Sequence, residues 1–390
     1  MIRIVVLLIL AGFTACSSGQ PANDKRIIPA ADQTAAYLPL LTGKRVALVA
    51  NQTSLVGGHH LADSLLSLGV DIVKIFSPEH GFRGTGDAGQ TVHDGIDILT
   101  GLPVISLYGC HKKPLPADLD DVDVVVFDIQ DVGVRFYTYI STLQYVMEAC
   151  AENDRRMIVL DRPNPNGNYI DGPVLDPEFK SFVGMDPVPV VYGMTIGEYA
   201  LMINGERWLN GVIQCDISVI PCLNYDHGTE YDLPVAPSPN LPNHQSVRLY
   251  PSLAFFEGTN VSAGRGTPWP FQVFGSPSLK EGLFYFTPVS TPGAALHPKH
   301  ENHKCRGIDL RKYLPPAGSF EQLNLGWLIE AYKNTENKTA FFNAYFDTLA
   351  GTDLLRKQVE RGMTGEAIRK SWQPGLSKFK LTRAKYLLYD

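Results

Sequence analysis

The residues of this chain best suited to chemistry cluster in one run, Pro78-Glu79-His80-Gly81-Phe82-Arg83-Gly84. A carboxylate, an imidazole and a guanidinium set between a proline and two glycines make a poor core and a good site. Taken alone, Glu79 would read as a turn carboxylate. Beside Phe82 and nearby tyrosines, at the mouth of a buried strand, it is instead placed to carry a proton as a general acid. His80 and Arg83 can hydrogen-bond either that carboxylate or a ligand next to it. A second dense group holds Asp128, Gln130, Asp131, Arg135, Tyr137 and Tyr139. Asp128 ends a strongly apolar strand run, Val124-Val125-Val126-Phe127, which makes it either an acceptor for loop N–H groups or a catalytic carboxylate. Asp161 and Arg162, with Asn164, form either an internal pair that shapes a loop or a set of sugar-binding polar groups. Asn51 and Gln52 open another polar cluster. Glu257, Asn260 and Arg265 close the ring, with glycines that allow close backbone approach and side chains that offer forked donors.

These groups share one position in the pattern, because each follows an apolar run. Val46–Ala50 leads into Asn51-Gln52-Thr53-Ser54, and 70–77 leads into Pro78 and Glu79. In the same way 122–127 leads into Asp128, 157–160 into Asp161, and Leu253-Ala254-Phe255-Phe256 into Glu257. Read as strands of a parallel sheet, these runs bring five polar ends to one carboxyl edge, where α/β sheets bind ligands. Helical spacing appears over 60–68, closed by Gly69, and over 139–153, and Thr195-Ile196-Gly197-Glu198 has the form of a capping box. Further short strands are expected at 104–108 and 217–220. The expected fold is α/β, a Rossmann-like and mostly parallel sheet over residues 36–268, followed by a smaller α+β C-terminal domain over 269–390. Helices are expected there at 324–333, 341–349 and 353–361. The closing Tyr386-Leu387-Leu388-Tyr389 is expected to pack as a final strand.

The 390 residues carry a formal net charge of -6, which argues against a nucleic-acid partner because that would need a basic face. Residues 1–15 read as a signal peptide: Arg3, an apolar stretch from Ile4 to Phe13, then Ala15 before Cys16. The Cys16-Ser17-Ser18-Gly19 sequence resembles a bacterial lipoprotein signal, although Phe13 stands where an aliphatic residue is usual. Acylated Cys16, with residues 16–35 as a tether, would anchor the protein to a membrane of the bacterial cell envelope, facing periplasm or exterior. The five other cysteines are widely spaced and contain no CxxC pair, so they read as buried thiols. Gly84-Thr85-Gly86-Asp87-Ala88-Gly89 matches the dinucleotide pattern GxGxxG, but no helical periodicity follows it, so it reads as a glycine-rich loop. His297, His300 and His303 read as a solvated loop rather than a metal site.

The motifs together resemble the NamZ-type exo-β-N-acetylmuramidase family. The residues that carry the resemblance are Pro78 to Gly84, Gln130 to Tyr139, Leu160-Asp161-Arg162-Pro163-Asn164-Pro165, Pro237-Ser238-Pro239-Asn240, Glu257 to Asn260, and Gly264 to Pro268. The resemblance runs from about residue 40 to the C-terminus. It implies an active site in a cleft between the two domains, and release of terminal N-acetylmuramic acid from the non-reducing end of peptidoglycan fragments (muropeptides). It implies no cofactor. Glu79 corresponds to the family's catalytic glutamate. Glycosidic cleavage takes two carboxylates; the second is sought among Asp128, Asp131, Asp161 and Glu257, with Asp128 preferred. The lactyl carboxylate of muramic acid calls for a guanidinium, for which Arg83 or Arg135 is expected. Two rival expectations are a noncatalytic muropeptide-binding lipoprotein and a metal-dependent hydrolase using Glu79, His80, Asp128 and Asp131.

Overall fold

The computed structural model describes residues 26–79, 81–83, 94–109, 111–316 and 320–390. The glycine-rich run 84–89, the signal peptide and Cys16 lie outside the described residues. The main sheet has seven strands: β1 (Arg45–Ala50), β2 (Asp71–Ser77), β3 (Gly95–Ile96), β4 (Pro103–Ser106), β5 (Val124–Asp128), β6 (Arg156–Leu160) and β7 (Ile217–Ile220). Their order is β3-β4-β2-β1-β5-β6-β7, all parallel except β3. The chain steps outward from β1 to β4, then returns to the other side of β1 with β5. Both faces are covered, so the central strands read as continuous apolar runs. Successive side chains feed opposite cores. Val46, Leu48 and Ala50 join one cluster with Val124 and Val126, while Ala47 and Val49 join another with Val125 and Phe127.

Two helices lie on the first side, α1 (Thr34–Leu41) and α2 (Leu61–Ser67). The other face carries α3 (Tyr139–Glu152) and α4 (Ile196–Gly205), the latter opened by the Thr195–Glu198 capping box that the sequence announces. Next comes α5 (His244–Leu253), followed by a three-stranded antiparallel sheet of β8 (Val273–Ser276), β9 (Phe284–Phe286) and β10 (Cys305–Asp309), in the order β8-β10-β9. Four helices complete the chain: α6 (Leu325–Asn334), α7 (Tyr345–Ala350), α8 (Leu354–Glu360) and α9 (Gly365–Arg383). The larger core cluster crosses from the main sheet into this second part, joining Val125 and Leu143 to Phe255, Phe346 and Trp372.

Two local expectations are corrected and a third holds in part. The run from Leu253 to Phe256 is not a strand; it is the end of α5 and a short 3-10 turn, Ala254–Gly258. A short apolar run fits a buried helix end as well as a strand. The tail from Tyr386 to Tyr389 also forms no strand. It is held by side chains instead: the Tyr389 hydroxyl donates to Asp161 Oδ2 at 2.6 Å and accepts from the Cys222 N–H at 2.7 Å. The segment around His300 is solvated at His297 and His303, whereas Lys299 and His300 are half-buried and His300 Nε2 lies 2.7 Å from the Asn260 carbonyl. Cys150, Cys215, Cys222 and Cys305 are buried free thiols.

Candidate active site

Glu79 stands two residues past the end of β2, and Gly81 beyond it takes φ +80°, a left-handed turn open to glycine. Its Oε2 accepts a hydrogen bond from Thr138 Oγ1 at 3.2 Å. The Tyr108 phenol, beyond the end of β4, lines the same cavity and lies close enough to feel the charge of this carboxylate. Segments that follow β2, β4 and β5 thus meet around one carboxyl group at the carboxyl edge of the sheet.

These residues line a cavity of about 180 Å³ whose far wall comes from the second part of the chain. That wall includes Tyr250 on α5, Glu257 in the 3-10 turn, Arg265 and Tyr345 on α7. The turn that presents Glu257 is fixed from two sides. A Cβ on Gly258 would come 2.4 Å from the Phe346 Cα, so only glycine lets the turn lie against α7. Lys299 Nζ donates to the carbonyls of Phe256 at 2.8 Å and Val261 at 3.2 Å, and also to that of Thr259. Arg265 Nη1 lies 3.2 Å from Glu257 Oε2. Burial, reinforced by the charge of Glu79, raises the phenols of Tyr108 and Tyr139 above the ordinary tyrosine range. Burial, Glu257 and Glu79 push Tyr345 up to about 12. These hydroxyls therefore stay protonated at neutral pH and serve as donors. Two carboxylates, several phenol donors and a guanidinium surround a space below the roughly 300–1,000 Å³ of a drug-sized site. That is a setting for acid–base chemistry on one small polar group, such as a sugar ring.

Models of two domains match the chain, described as exo-β-N-acetylmuramidase NamZ, N-terminal, over residues 46–245, and exo-β-N-acetylmuramidase NamZ, C-terminal, over residues 248–389. The chain belongs to the NamZ exo-β-N-acetylmuramidase family of glycoside hydrolases. The peptidoglycan β-N-acetylmuramidase NamZ of Bacillus subtilis is 40% identical over 375 residues, covering 90% of this chain and 89% of that protein. A crystal structure of a DUF1343 family protein from Bacteroides fragilis superposes with a TM-score of 0.87 at 47% identity, covering 94% of this chain and 99% of the other. A second DUF1343 structure from the same organism gives 0.79 at 30% identity, with the same coverage of 94% and 99%.

Of the residues expected at the site, Glu79, Tyr137, Tyr139, Glu257 and Arg265 line the cavity. Among the described residues the others do not, and each has a partner that explains why. Asp128 is fully buried in an ion pair with Arg162, whose Nε and Nη2 lie 2.5 and 2.8 Å from its two oxygens. Asp131 accepts from the Gly133 N–H at 2.7 Å and from the Tyr192 hydroxyl, and burial raises its carboxyl to about 6. Asp161 accepts from Thr195, Gly197 and Tyr389, and burial likewise raises it to about 6. Arg135 is fully buried and donates to four main-chain carbonyls, so it is unavailable to a ligand. Arg83 grips Asp97 through two bonds of 3.0 and 2.8 Å, which holds the Asp97 carboxyl below its usual range.

Asn51 bonds within its own turn, to the Thr53 N–H and hydroxyl. That turn fills the crevice between β1 and β5, the reversal point of the sheet, where Ser54 Oγ also donates to the Asp128 carbonyl. Gln52 and Gln130 tie loops to one another, through the Pro237 and Pro163 carbonyls respectively. Asn164 donates to the Met194 carbonyl at 2.8 Å, and Asn260 to Ser278 Oγ at 3.3 Å. His80 lies outside the described residues. Among the described residues no three His, Cys, Asp or Glu side chains converge on a metal position.

Sequence reasoning gave no individual role to Tyr108, Thr138, Asn240, Tyr250, Lys299 or Tyr345. Tyr108 carried a usable signal as the polar end of a strand beside the one that precedes Glu79. A larger cavity of about 1060 Å³, where Arg26, the 224–234 loop and Asp390 meet, lacks Glu79 and its partners.

Proposed function

We propose that this chain is an exo-acting glycoside hydrolase that releases β-linked N-acetylmuramic acid from the non-reducing end of peptidoglycan fragments. The observation that carries the reading is the presence of Glu79 and Glu257, from the two parts of the chain, in the lining of one small cavity that also holds Arg265. Glu79 is the general acid that protonates the leaving glycosidic oxygen. Glu257 acts from the other wall as nucleophile or as base for water, the separation of the two oxygens in the substrate complex deciding which. Thr138 orients the Glu79 carboxyl by donating to it, and the Tyr108 phenol stands beside it in the cavity lining. Arg265 meets the lactyl carboxylate, the anionic group that sets muramic acid apart from N-acetylglucosamine. It can turn from Glu257 to that group without crossing a wall, since both face the same space. A walled cavity of this size accepts the end of a glycan, in keeping with exo action. The N-terminal sequence adds an envelope location, with acylated Cys16 as the membrane anchor.

The test is hydrolysis of a chromogenic aryl β-N-acetylmuramide, with the matching N-acetylglucosaminide as control. Selective turnover of the muramide is expected, falling by about 10² or more in Glu79→Gln. A folded wild-type protein that binds muropeptides and hydrolyses neither sugar would instead be a binding lipoprotein.

A further inference from the structure

We infer that Asn240 is a specificity-determining residue, whose side-chain carbonyl receives the acetamido N–H of the sugar in the cavity. The inference rests on the muramidase reading of that cavity and adds a residue to which no role has been given. Asn240 lines the cavity and is only 4% exposed, yet its Oδ1 is buried without a hydrogen-bond partner. A buried acceptor left unpaired is costly and calls for an explanation. Rotating the amide does not supply one. Nδ2 donates to the Ala294 carbonyl at 2.8 Å, and a flip would set two carbonyl oxygens against each other. The orientation of Oδ1 is therefore fixed by the second part of the chain.

The backbone beneath it is fixed as well. The Asn240 N–H donates to Ser238 Oγ at 3.2 Å. The Pro237 carbonyl, three residues back, receives the Tyr137 hydroxyl at 2.7 Å and Gln52 Nε2 at 3.1 Å. A neutral acceptor held in advance, in a cavity otherwise rich in donors and carboxylates, fits a neutral N–H donor of the ligand. An N-acetylated sugar carries one such group, the acetamido N–H at C2. A site built to bond a donor rejects the analogue that lacks it far more strongly than an apolar site rejects a missing methylene.

The experiment compares kcat/KM for the aryl β-N-acetylmuramide with that for its 2-deoxy analogue, which keeps the lactyl ether and lacks the acetamido group. Wild type, Asn240→Leu and Asn240→Ser are measured on both substrates. The ratio of the two values does not depend on how much of each preparation is folded, so a purely structural role leaves it unchanged. The inference predicts that the ratio falls by about tenfold or more in both variants, with the 2-deoxy substrate nearly unaffected per folded molecule. A ratio within twofold of wild type in both variants overturns it, including the case in which Oδ1 bonds a ring hydroxyl. Wild type that turns over neither substrate overturns the muramidase reading, and this inference with it.

Discussion

Asp128 and Glu79 are both carboxylates at the carboxyl ends of parallel strands, and their neighbours give them different work. Asp128 faces Arg162 inside the protein, whereas Glu79 faces a cavity with hydroxyls around it. Asp128→Asn should therefore lower stability, by about 3–5 kcal/mol, because it leaves the Arg162 guanidinium buried without a counter-charge. Urea denaturation measures this directly, and an unchanged midpoint would contradict the assignment. Arg265→Met should act on recognition instead. Its kcat/KM for the muramide should fall by about tenfold or more, while any slow turnover of the N-acetylglucosaminide is spared, since that sugar has no carboxylate to lose. Equal losses on both sugars would place Arg265 in the support of Glu257 rather than in contact with substrate. The sequence showed which carboxylates and guanidinium groups stand at strand ends. It could not show which of them pair with each other, because Asp128 and Arg162, or Arg83 and Asp97, meet only through the stacking of separate strands and loops. Asp128, preferred as second carboxylate, and Arg83 and Arg135, expected as clamp, are paired in this way and stand outside the cavity lining.

At the scale of elements, the strands were legible because a parallel sheet covered on both faces writes unbroken apolar runs into the chain. Glu257 was harder to place. It sits at the end of a helix that contains Pro251, and its turn is held by Lys299 from 42 residues further along. Helix α9 is poorly legible in the sequence. It contains Pro374 followed by Gly375, which disrupt the pattern, although Ile368, Trp372, Leu376 and Phe379 form its buried stripe. Arg135 shows how such elements are joined. From the segment after β5 it donates to the Leu349 and Ala350 carbonyls at the end of α7, the helix that carries Tyr345, at 3.1 and 2.6 Å. It also reaches the Pro173 and Val188 carbonyls at 2.9 and 2.8 Å. Arg135→Met should cost about 2–4 kcal/mol by leaving these buried acceptors unpaired. It should also lower kcat per folded molecule, since α7 forms part of the cavity wall. A destabilised variant with an unchanged kcat would show that the wall does not depend on this tie.

Over the whole molecule, the two parts share one core cluster and close one cavity, so stability and activity are linked through buried polar ties. Asp186 reports on that interior. It accepts a hydrogen bond from Tyr199 at 2.8 Å, and burial raises its carboxyl to about 7, above the 3.8 of an exposed aspartate. A folded-state value above the unfolded one means that the group's stabilising contribution is complete below about pH 4 and is lost as pH rises towards 7. The stability advantage of wild type over Asp186→Asn should therefore be greatest near pH 4 and shrink up to about pH 8. Denaturant titrations at several pH values would show this, and an advantage that grows with pH would contradict it.

The division of labour between Glu79 and Glu257 is tested most directly by the rate of aryl β-N-acetylmuramide hydrolysis in Glu79→Gln, Glu257→Gln and Asp128→Asn, each normalised to folded protein. The cavity assignment predicts losses of about 10² or more for each glutamate variant, with Asp128→Asn within about tenfold of wild type. A Glu257→Gln enzyme working at the wild-type rate, beside an inactive but folded Asp128→Asn, would contradict it and move the second carboxylate to Asp128.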